Sequence, residues 1–346
     1  MNAVIEKLKQ KSFLVIGRAG MDFYAEPPGT EMEQAESFSA HVGGSAANTA
    51  VALARLGCTT EVVTCVSDDA VGRFVSAKLA SFGVGTKHFR SIGGEARNSL
   101  AVVETRLDNC QSVIYRNGAA DFDMGIEDIE APDYESAGGV ILSGTALAAE
   151  PSRSAIFQAI ELSRAAGTPV IIDMDYRPYS WPSQEEAAAV YTRAIERCDL
   201  VIGNDVEFNV AAGPGRDGFE HARSLIDGTP ALVIYKMGER GSVTFAGSES
   251  FETGIFPVQA IKPTGAGDAF MGGFLSGLAN GLSVRGAVEQ GSASAAIVVT
   301  KVACSSAMPD RVELDSFIAN HSLSSTDDTP ALNTTAPGAP NAYRAV

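Results

Sequence analysis

A run of small residues that ends in a carboxylate, Gly265-Ala266-Gly267-Asp268, is the part of the sequence best suited to phosphoryl-transfer chemistry. Residues with little or no side chain let backbone N–H groups close around an anion, and a helix that begins there adds the positive end of its dipole. A carboxylate would repel a phosphate at such a place, so it makes more sense as a base that takes the proton of an attacking hydroxyl. The alternative is a glycine-rich turn in which Asp268 caps the helix predicted over 269–278.

The composition disfavours several classes of protein. The chain has 346 residues, 45% of them hydrophobic, and a formal net charge of −16. We expect no nucleic-acid partner, because phosphate backbones need basic surface, and no membrane span, because no run of about 18 apolar residues occurs. The N-terminus does not have the pattern of a secretory signal. Five widely spaced cysteines predict reduced thiols rather than disulfides or structural zinc, which is typical of the cytoplasm.

Short β-branched runs alternate with longer helical patterns along most of the chain. Strands are predicted over 12–17, 61–66, 139–143, 170–173, 200–203 and 231–236, and helices over 45–56, 69–82, 151–166, 183–198 and 218–227. Alternation of this kind predicts an α/β fold with a parallel sheet that is covered by helices on both faces.

Two stretches interrupt this alternation. Residues 21–42 are polar and extended, and residues 98–115 alternate like strands around Asp108-Asn109, a turn signal. We expect a small β-sheet that stands off the main domain and closes over a substrate to exclude water; two surface hairpins without a role are the alternative. From Ser322 onward the composition predicts a disordered tail, 322–346.

Two further segments extend the pattern into a resemblance to a known family. Gly43-Gly44-Ser45-Ala46-Ala47-Asn48 leads into a predicted helix, and Asn204-Asp205-Val206-Glu207 follows a predicted strand. With residues 265–268 they resemble, in family order, the signature regions of the ribokinase-like, PfkB-type sugar kinases, from about Phe13 to about Ile318. The resemblance implies a ribokinase-like three-layer sandwich with a mostly parallel central sheet and a small β lid (about 20–42 and 96–121), in one kinase domain over 12–321.

Four segments in the middle of the chain resemble one branch of this family more closely. Residues 115–121, 143–147, 151–153 and 173–181 are similar to the kinases that phosphorylate 5-dehydro-2-deoxygluconate in bacterial myo-inositol catabolism, and Lys262-Pro263 also fits that branch. The pattern Asp-x-x-x-Arg-Pro-x-x-Trp is shared in outline with 2-keto-3-deoxygluconate kinases, which are the first alternative. Neutral-sugar kinases of the fructokinase or ribokinase type are the second. The resemblance implies a cytoplasmic enzyme that uses ATP and Mg²⁺ on a sugar acid.

The resemblance assigns the reaction centre to three segments. Asp268 would be the catalytic base, and the N–H groups of Gly265, Ala266 and Gly267 would form an anion hole. Asn204 and Glu207 would hold Mg²⁺, mainly through water, although Asn204 could instead simply cap the next helix. The residues implied for ATP are Asn204, Lys236, Gly238, Gly241, Gly265 and Gly267, with residues 294–299 and the loop after Lys301 beside the adenine. Taken alone, Lys236 to Gly241 favours an ordinary strand–turn–strand, and residues 294–299 equally suit a buried helix.

The sugar would lie against Asp22, Gly43, Gly44 and Asn48, because glycines let the backbone approach hydroxyls closely. A sugar acid also needs a cation for its carboxylate, which arginine grips at two points. The candidates are Arg116 and Arg177, with Arg18 third. Each of them could instead make a surface ion pair worth under about 1 kcal/mol, and Arg177 could touch the ATP phosphates.

Lys262 departs from many ribokinases, in which an aspartate at this place helps to bind a monovalent cation. We hypothesise that its ammonium group replaces the charge of that ion. A dinucleotide-dependent oxidoreductase is disfavoured, because Gly17-Arg18-Ala19-Gly20 lacks the G-x-G-x-x-G spacing. A catalytically silent sugar-binding regulator is disfavoured by an intact Asp268 and Asn204/Glu207 pair. The edge of the lid offers a surface for a homodimer.

Overall fold

The computed structural model describes residues 1–107 and 110–324. The strands are β1 Ser12–Ile16, β2 Gly20–Glu26, β3 Ser37–Gly43, β4 Thr59–Ser67, β5 Gly85–Ile92, β6 Leu100–Val103, β7 Ser112–Tyr115, β8 Gly139–Ser143, β9 Val170–Asp173, β10 Leu200–Asn204, β11 Leu232–Lys236, β12 Ser242–Ala246 and β13 Glu249–Thr253. The α-helices are α1 Asn2–Leu8, α2 Ser45–Arg55, α3 Ala70–Ser81, α4 Ile126–Glu130, α5 Ser152–Ala165, α6 Gln184–Ile195, α7 Asp205–Ala212, α8 Gly218–Ser224, α9 Ala266–Ala279, α10 Val284–Val299 and α11 Arg311–Asn320.

The larger sheet has nine strands within the described residues, in the order β13-β12-β11-β10-β9-β8-β1-β4-β5. Every neighbouring pair from β11 to β5 is parallel, and β12 pairs antiparallel with both β11 and β13. Parallel strands need crossover connections, and helices supply them here. The predicted mostly parallel sheet is therefore confirmed.

Side chains of the central strands alternate between two separate hydrophobic clusters. In β1, Leu14 and Ile16 point into a cluster that includes residues of α5, α6 and α7, whereas Phe13 and Val15 point into one that includes residues of α2, α9 and α10. Since successive strand residues face opposite sides of a sheet, the two clusters are its two covered faces. This arrangement confirms the three-layer α/β sandwich.

The second sheet has the strand order β3-β2-β6-β7. Strands β2 and β3 form an antiparallel pair, β6 and β7 form another, and β2 and β6 lie parallel between them. The two irregular stretches of the sequence thus form the predicted small sheet, which we call the lid. The turn signal Asp108-Asn109 and residues 325–346 of the predicted tail lie outside the described residues.

Helices α2 and α9 approach each other closely on one face of the large sheet. A Cβ atom added to Gly272 would lie 2.3 Å from the Cβ of Ala52, so only glycine lets the two helices meet at this separation. The contact brings the first turn of α2 beside the first turn of α9. In the part of the chain that the structure describes, no helix has both the length and the apolar character needed to cross a lipid bilayer.

Candidate active site

Polar residues stand at the carboxyl ends of five adjacent strands. Strands β11, β10, β9 and β8 end in Lys236, Asn204, Asp173 and Ser143, and β1 is followed by Gly17 and Arg18. Neighbouring ends are in register, since Asn204 pairs with Lys236 and Ser143 with Asp173. In open α/β sheets, ligands bind in the crevice outside these strand ends. This edge is therefore the candidate active site.

The first turn of α9 forms one wall of this crevice. Gly265, the N-cap, has φ +83°, and a Cβ atom there would lie 2.7 Å from Cys304 Sγ. The first hydrogen bond of the helix runs from Ala269 N–H to the Gly265 carbonyl. The N–H groups of Ala266, Gly267 and Asp268 therefore have no partner inside the helix. They are the donors that an anion hole needs.

Asp268 is held by residues of α2. Asn48 Nδ2 donates a hydrogen bond of 2.7 Å to Asp268 Oδ2, while Ser305 Oγ donates one of 2.6 Å to Asn48 Oδ1. Burial raises the pKa of Asp268 to about 7, the charges of Asp175 and Asp173 add to the rise, and hydrogen bonds from Asn48 and Ser45 oppose it. A carboxylate with a pKa near neutrality is suited to accept a proton.

Asn204 and Glu207 form a reciprocal cap at the start of α7. Asn204 Oδ1 accepts the Glu207 N–H at 2.9 Å, and Glu207 Oε2 accepts the Asn204 N–H at 2.7 Å. The second oxygen, Oε1, accepts the Tyr176 N–H at 3.1 Å. Burial raises the pKa of Glu207 to about 7, although the charge of Lys236 opposes the rise. The capping role considered for Asn204 is thus present, and the metal role remains a prediction.

Lys236 reaches from the end of β11 to the first turn of α9. A Cβ atom on Gly267 would lie 3.4 Å from Lys236 Nζ, and this nitrogen is 5.9 Å from the centre of the Phe270 ring. The following residues form the tight connection between β11 and β12, in which Gly238 and Gly241 have φ of +59° and +78°. Lys236 therefore lies beside the anion hole, while the two glycines shape a hairpin turn, and their contact with ATP remains a prediction.

A second group of buried residues joins the lid to the loop before α9. Lys262, with no exposed surface, donates a hydrogen bond of 2.6 Å to the Thr264 carbonyl. The hydroxyl oxygen of Tyr24 in β2 lies 3.1 Å from Cys304 Sγ. Burial lowers the pKa of Lys262, and nearby acidic groups, Asp268 and Asp22 among them, oppose that change. The Lys262 side chain is therefore held by the loop that precedes Gly265, and its role in place of a monovalent cation remains a prediction.

Asp22 and the two predicted glycines lie together where the lid meets α2. A Cβ atom on Gly43 would lie 1.9 Å from Asp22 Oδ1, and one on Gly44 would lie 2.4 Å from the Arg18 carbonyl. Asp22 Oδ1 is buried and has no hydrogen-bond partner in the described residues. Burial raises the pKa of Asp22 to about 6 against the charges of Arg18 and Lys262. An unpartnered buried acceptor of this kind suits a sugar hydroxyl.

The three arginines differ in how many of their N–H donors already bond to other groups of the protein. Arg116 is buried; its Nε and Nη2 donate to Asp121 Oδ2, its Nη1 donates to the Thr145 carbonyl, and its guanidinium stacks 4.0 Å from the Phe122 ring. Arg177 is 38% exposed and pairs with Asp175 at 2.6 Å. Arg18 makes one side-chain hydrogen bond, from Nη1 to Ser99 Oγ at 2.8 Å. The surface ion pair considered for each arginine is thus wrong for Arg116, whose ion pair is buried.

The four mid-chain segments that resemble sugar-acid kinases meet in space. Arg116 of the first contacts the Thr145 carbonyl of the second at 3.1 Å. Ser152 of the third donates to the Ala146 carbonyl at 2.7 Å, and Arg153 lies 5.5 Å from the centre of the Trp181 ring in the fourth. These segments therefore build one wall of the crevice next to β8 and β9.

Sequence reasoning did not assign a role to Asp173, Asp175 or Ser305. Asp173 and Asp175 are 5% and 7% exposed, and Asp175 has φ +39°, a backbone conformation that non-glycine residues seldom adopt outside functional or strained sites. Burial raises the pKa of Asp173, which the charge of Asp175 raises further. The two acids stand directly at the end of a predicted parallel strand, and this position could have identified them as site residues. No sequence pattern marks Ser305 as a site residue.

Comparisons with known proteins show what this chain is similar to. A model of the pfkB family of carbohydrate kinases matches residues 10–311. A protein of Geobacillus kaustophilus named 5-dehydro-2-deoxygluconokinase is 37% identical over 321 residues, 91% of this chain and 96% of the relative. A structure of Xylella fastidiosa fructokinase with bound ATP has a TM-score of 0.81 at 26% identity, over 90% of this chain and 98% of that one. A structure of a Vibrio cholerae fructokinase double mutant with fructose, ADP and potassium has a TM-score of 0.79 at 27% identity, over 88% of this chain and 97% of that one.

Proposed function

The chain belongs to the pfkB family of carbohydrate kinases, and from this premise we propose that it phosphorylates 5-dehydro-2-deoxy-D-gluconate at its terminal hydroxyl. Kinases of this family are phosphotransferases, and the fructokinase structures of the same fold carry ATP or ADP. The observation that carries the proposal is the placement of Asp268. Its carboxylate lies on the first turn of α9, whose N–H groups have no hydrogen-bond partner within the helix. Lys236 lies beside this turn.

In the proposed reaction, Asp268 accepts the proton of the sugar hydroxyl as its oxygen attacks the γ-phosphoryl group of ATP. The bond between the γ-phosphorus and the bridging oxygen of ADP breaks as the new P–O bond forms. The N–H groups of Ala266 and Gly267 and the ammonium of Lys236 stabilise the negative charge on the transferred group. Asn48 holds the carboxylate oriented through its 2.7 Å hydrogen bond.

Mg²⁺ fits this site best as an ion bound mainly to phosphate and water. Across the described residues, no group of three His, Cys, Asp or Glu side chains could hold a metal ion alone. Both oxygens of Glu207 and the amide oxygen of Asn204 already accept N–H bonds. We propose that these two residues hold Mg²⁺ through its water molecules, as is usual for this ion on nucleotides. Its charge would neutralise the ATP phosphates.

The preference for a sugar acid rests on the 5-dehydro-2-deoxygluconokinase relatives and on the arginine-containing wall of the crevice. Of the three arginines, Arg116 and Arg177 are paired with protein carboxylates, whereas Arg18 has no ion-pair partner in the described residues and would suit the carboxylate of a sugar acid. 2-Keto-3-deoxygluconate is the first alternative substrate, because it carries the same carboxylate.

The test is a coupled ADP-release assay on three substrates: 5-dehydro-2-deoxy-D-gluconate, 2-keto-3-deoxy-D-gluconate and D-fructose. We expect the highest kcat/KM with the first. A higher value with the second would assign the alternative, and turnover of fructose alone would refute a sugar-acid substrate. The Asp268→Asn variant serves as the control for contaminating kinases in the preparation.

We propose that the reaction takes place in the cytoplasm as a step of inositol breakdown. All five cysteines carry free thiols, which suits a reducing compartment. We also propose a homodimer through the lid, whose outer strands β3 and β7 expose Phe38 and Tyr115 by 42% and 61%. Light scattering would test it, and a monomeric mass at working concentration would refute it.

A further inference from the structure

Arg18 is a buried cation that the described protein leaves without a paired anion. Arg18 is 8% exposed, and among the described residues only Ser99 Oγ accepts a hydrogen bond from its side chain. Its charge opposes the raised pKa of the buried Asp22, but no described carboxylate lies within ion-pair distance of it. Its Nε and Nη2 make no hydrogen bond within the described residues, and neither atom is fully buried. This edge of the guanidinium therefore faces open space. A buried charge of this kind is costly unless something pairs with it.

The remaining arginines of the crevice are committed to protein carboxylates. Three N–H donors of Arg116 are taken by Asp121 and the Thr145 carbonyl. Arg177 is paired with Asp175. An external carboxylate would have to displace these partners, so binding an anion at Arg18 costs less free energy.

Arg18 also lies on the substrate side of the catalytic turn. Its carbonyl accepts the Ala47 N–H at 3.4 Å in the first turn of α2, and the next residue is Asn48, the hydrogen-bond donor to Asp268. Burial raises the pKa of Tyr179, and the charges of Arg177, Arg18 and Arg116 all oppose that rise. The three cations therefore act on one region, which reaches solvent at Tyr179, a residue that is 42% exposed.

We infer that Arg18 binds the carboxylate of the substrate through its Nε and Nη2 edge, and that it thereby selects sugar acids over neutral sugars of the same length. Ser99 fixes the opposite corner of the guanidinium, so the free edge presents two parallel donors. This inference rests on the proposed sugar-acid substrate.

The test compares variants on a sugar acid and on a neutral ligand. Arg18→Met should lower kcat/KM for 5-dehydro-2-deoxy-D-gluconate by about 10- to 150-fold, as expected for a lost hydrogen-bonded charge. Any turnover of D-fructose should change by less than about threefold, which is within the spread of neutral substitutions. Arg18→Lys keeps the charge without the two-point grip and should fall between. Arg164→Met, on the exposed face of α5, is the matched control.

Equal losses on both substrates, or a sugar-acid kcat/KM that stays within about threefold of the wild type, would overturn the inference. A selective loss in Arg116→Met but not in Arg18→Met would also overturn it. If Arg18→Met does not fold, Ser99→Ala decides, since it frees the guanidinium and should raise KM for the sugar acid alone; an unchanged KM counts against Arg18.

Failure of the proposed function gives a different result, because it is measured on the wild-type enzyme alone. If the wild type phosphorylates no sugar acid, calorimetric binding of D-gluconate and of its neutral counterpart D-glucitol still tests Arg18. We expect the wild type to prefer gluconate and Arg18→Met to lose that preference. A preference that persists in the variant would refute the assignment.

Discussion

Removal of the Asn48 side chain should move the pH dependence of the reaction upward. Asn48 Nδ2 donates to Asp268 Oδ2 at 2.7 Å, and this bond favours the ionised form of a carboxylate whose pKa burial has already raised to about 7. A hydrogen bond to a charged group contributes about 1.5–3 kcal/mol, and one pKa unit corresponds to about 1.4 kcal/mol. In Asn48→Ala the pKa of Asp268 should therefore rise by about one to two units.

The sign follows from the role of Asp268 as a base. Only the ionised carboxylate accepts a proton, so kcat/KM should rise with pH through the pKa of Asp268 in the free enzyme. Asn48→Ala should shift this ascending limb upward by one to two pH units and recover part of its activity above the new pKa. The measurement is kcat/KM between about pH 5.5 and 9.5, and comparison with the wild type cancels ionisation of the substrates.

Two further variants make the result interpretable. Ser305→Ala removes the 2.6 Å bond that orients the Asn48 amide, together with a 3.1 Å contact to the Val42 carbonyl, and leaves the Asn48 bond to Asp268 in place; it should therefore shift the limb in the same direction by less than one unit. Asn280→Ala, at the exposed C-terminal end of the same helix α9, should not shift it. A uniform loss in Asn48→Ala at every pH, with the limb unmoved, would refute this reasoning and would mean that Asn48 acts on the sugar.

Three other changes test separate parts of the site. Asp268→Asn should lower kcat by about 10²–10⁴ while calorimetry shows nearly unchanged ATP binding; a full kcat would refute its role as the base. The wild type should turn over equally in potassium and in tetramethylammonium salts, because the buried Lys262 supplies the charge; a potassium requirement would refute that hypothesis. Gly265→Ala should cost about 1–2 kcal/mol of unfolding free energy from its φ of +83° alone, and more from the 2.7 Å approach to Cys304. An unchanged melting temperature would contradict this expectation.

The sheet was predictable because most of its strands are buried on both faces. Strands β8 and β9 have the predicted bounds, and each is buried along its whole length, so an apolar run marks it in the sequence. Strands β5 and β13 were not predicted. Both lie at the edges of the sheet and are largely accessible, which removes the apolar pattern that identifies a strand.

The site was predictable only as far as local sequence defines it. The glycine-rich start of α9 and the capping pattern of Asn204 and Glu207 depend on neighbouring residues, so a motif can identify them. By contrast, the bonds of Asn48 to Asp268 and to Ser305 join residues 220 and 257 positions apart. Only the packing of α2 against α9 brings these side chains together, and no local pattern encodes that contact.

The acidity of the chain and its anionic ligands are compatible because charge acts over a short range. At physiological salt, exposed charges are screened beyond about 8 Å, so a net charge of −16 says little about the charges that act inside the crevice. Within that crevice Lys236, Lys262 and Arg18 lie where anions would bind, and Lys262 and Arg18 are buried. Asp22, Glu207 and Asp268 all have raised pKa values, because burial leaves their charges poorly compensated. In the proposed reaction the acids would accept the proton and hold Mg²⁺, and the cations would bind phosphate and carboxylate. On this proposal, substrate selection would depend on single buried cations rather than on the surface charge of the protein.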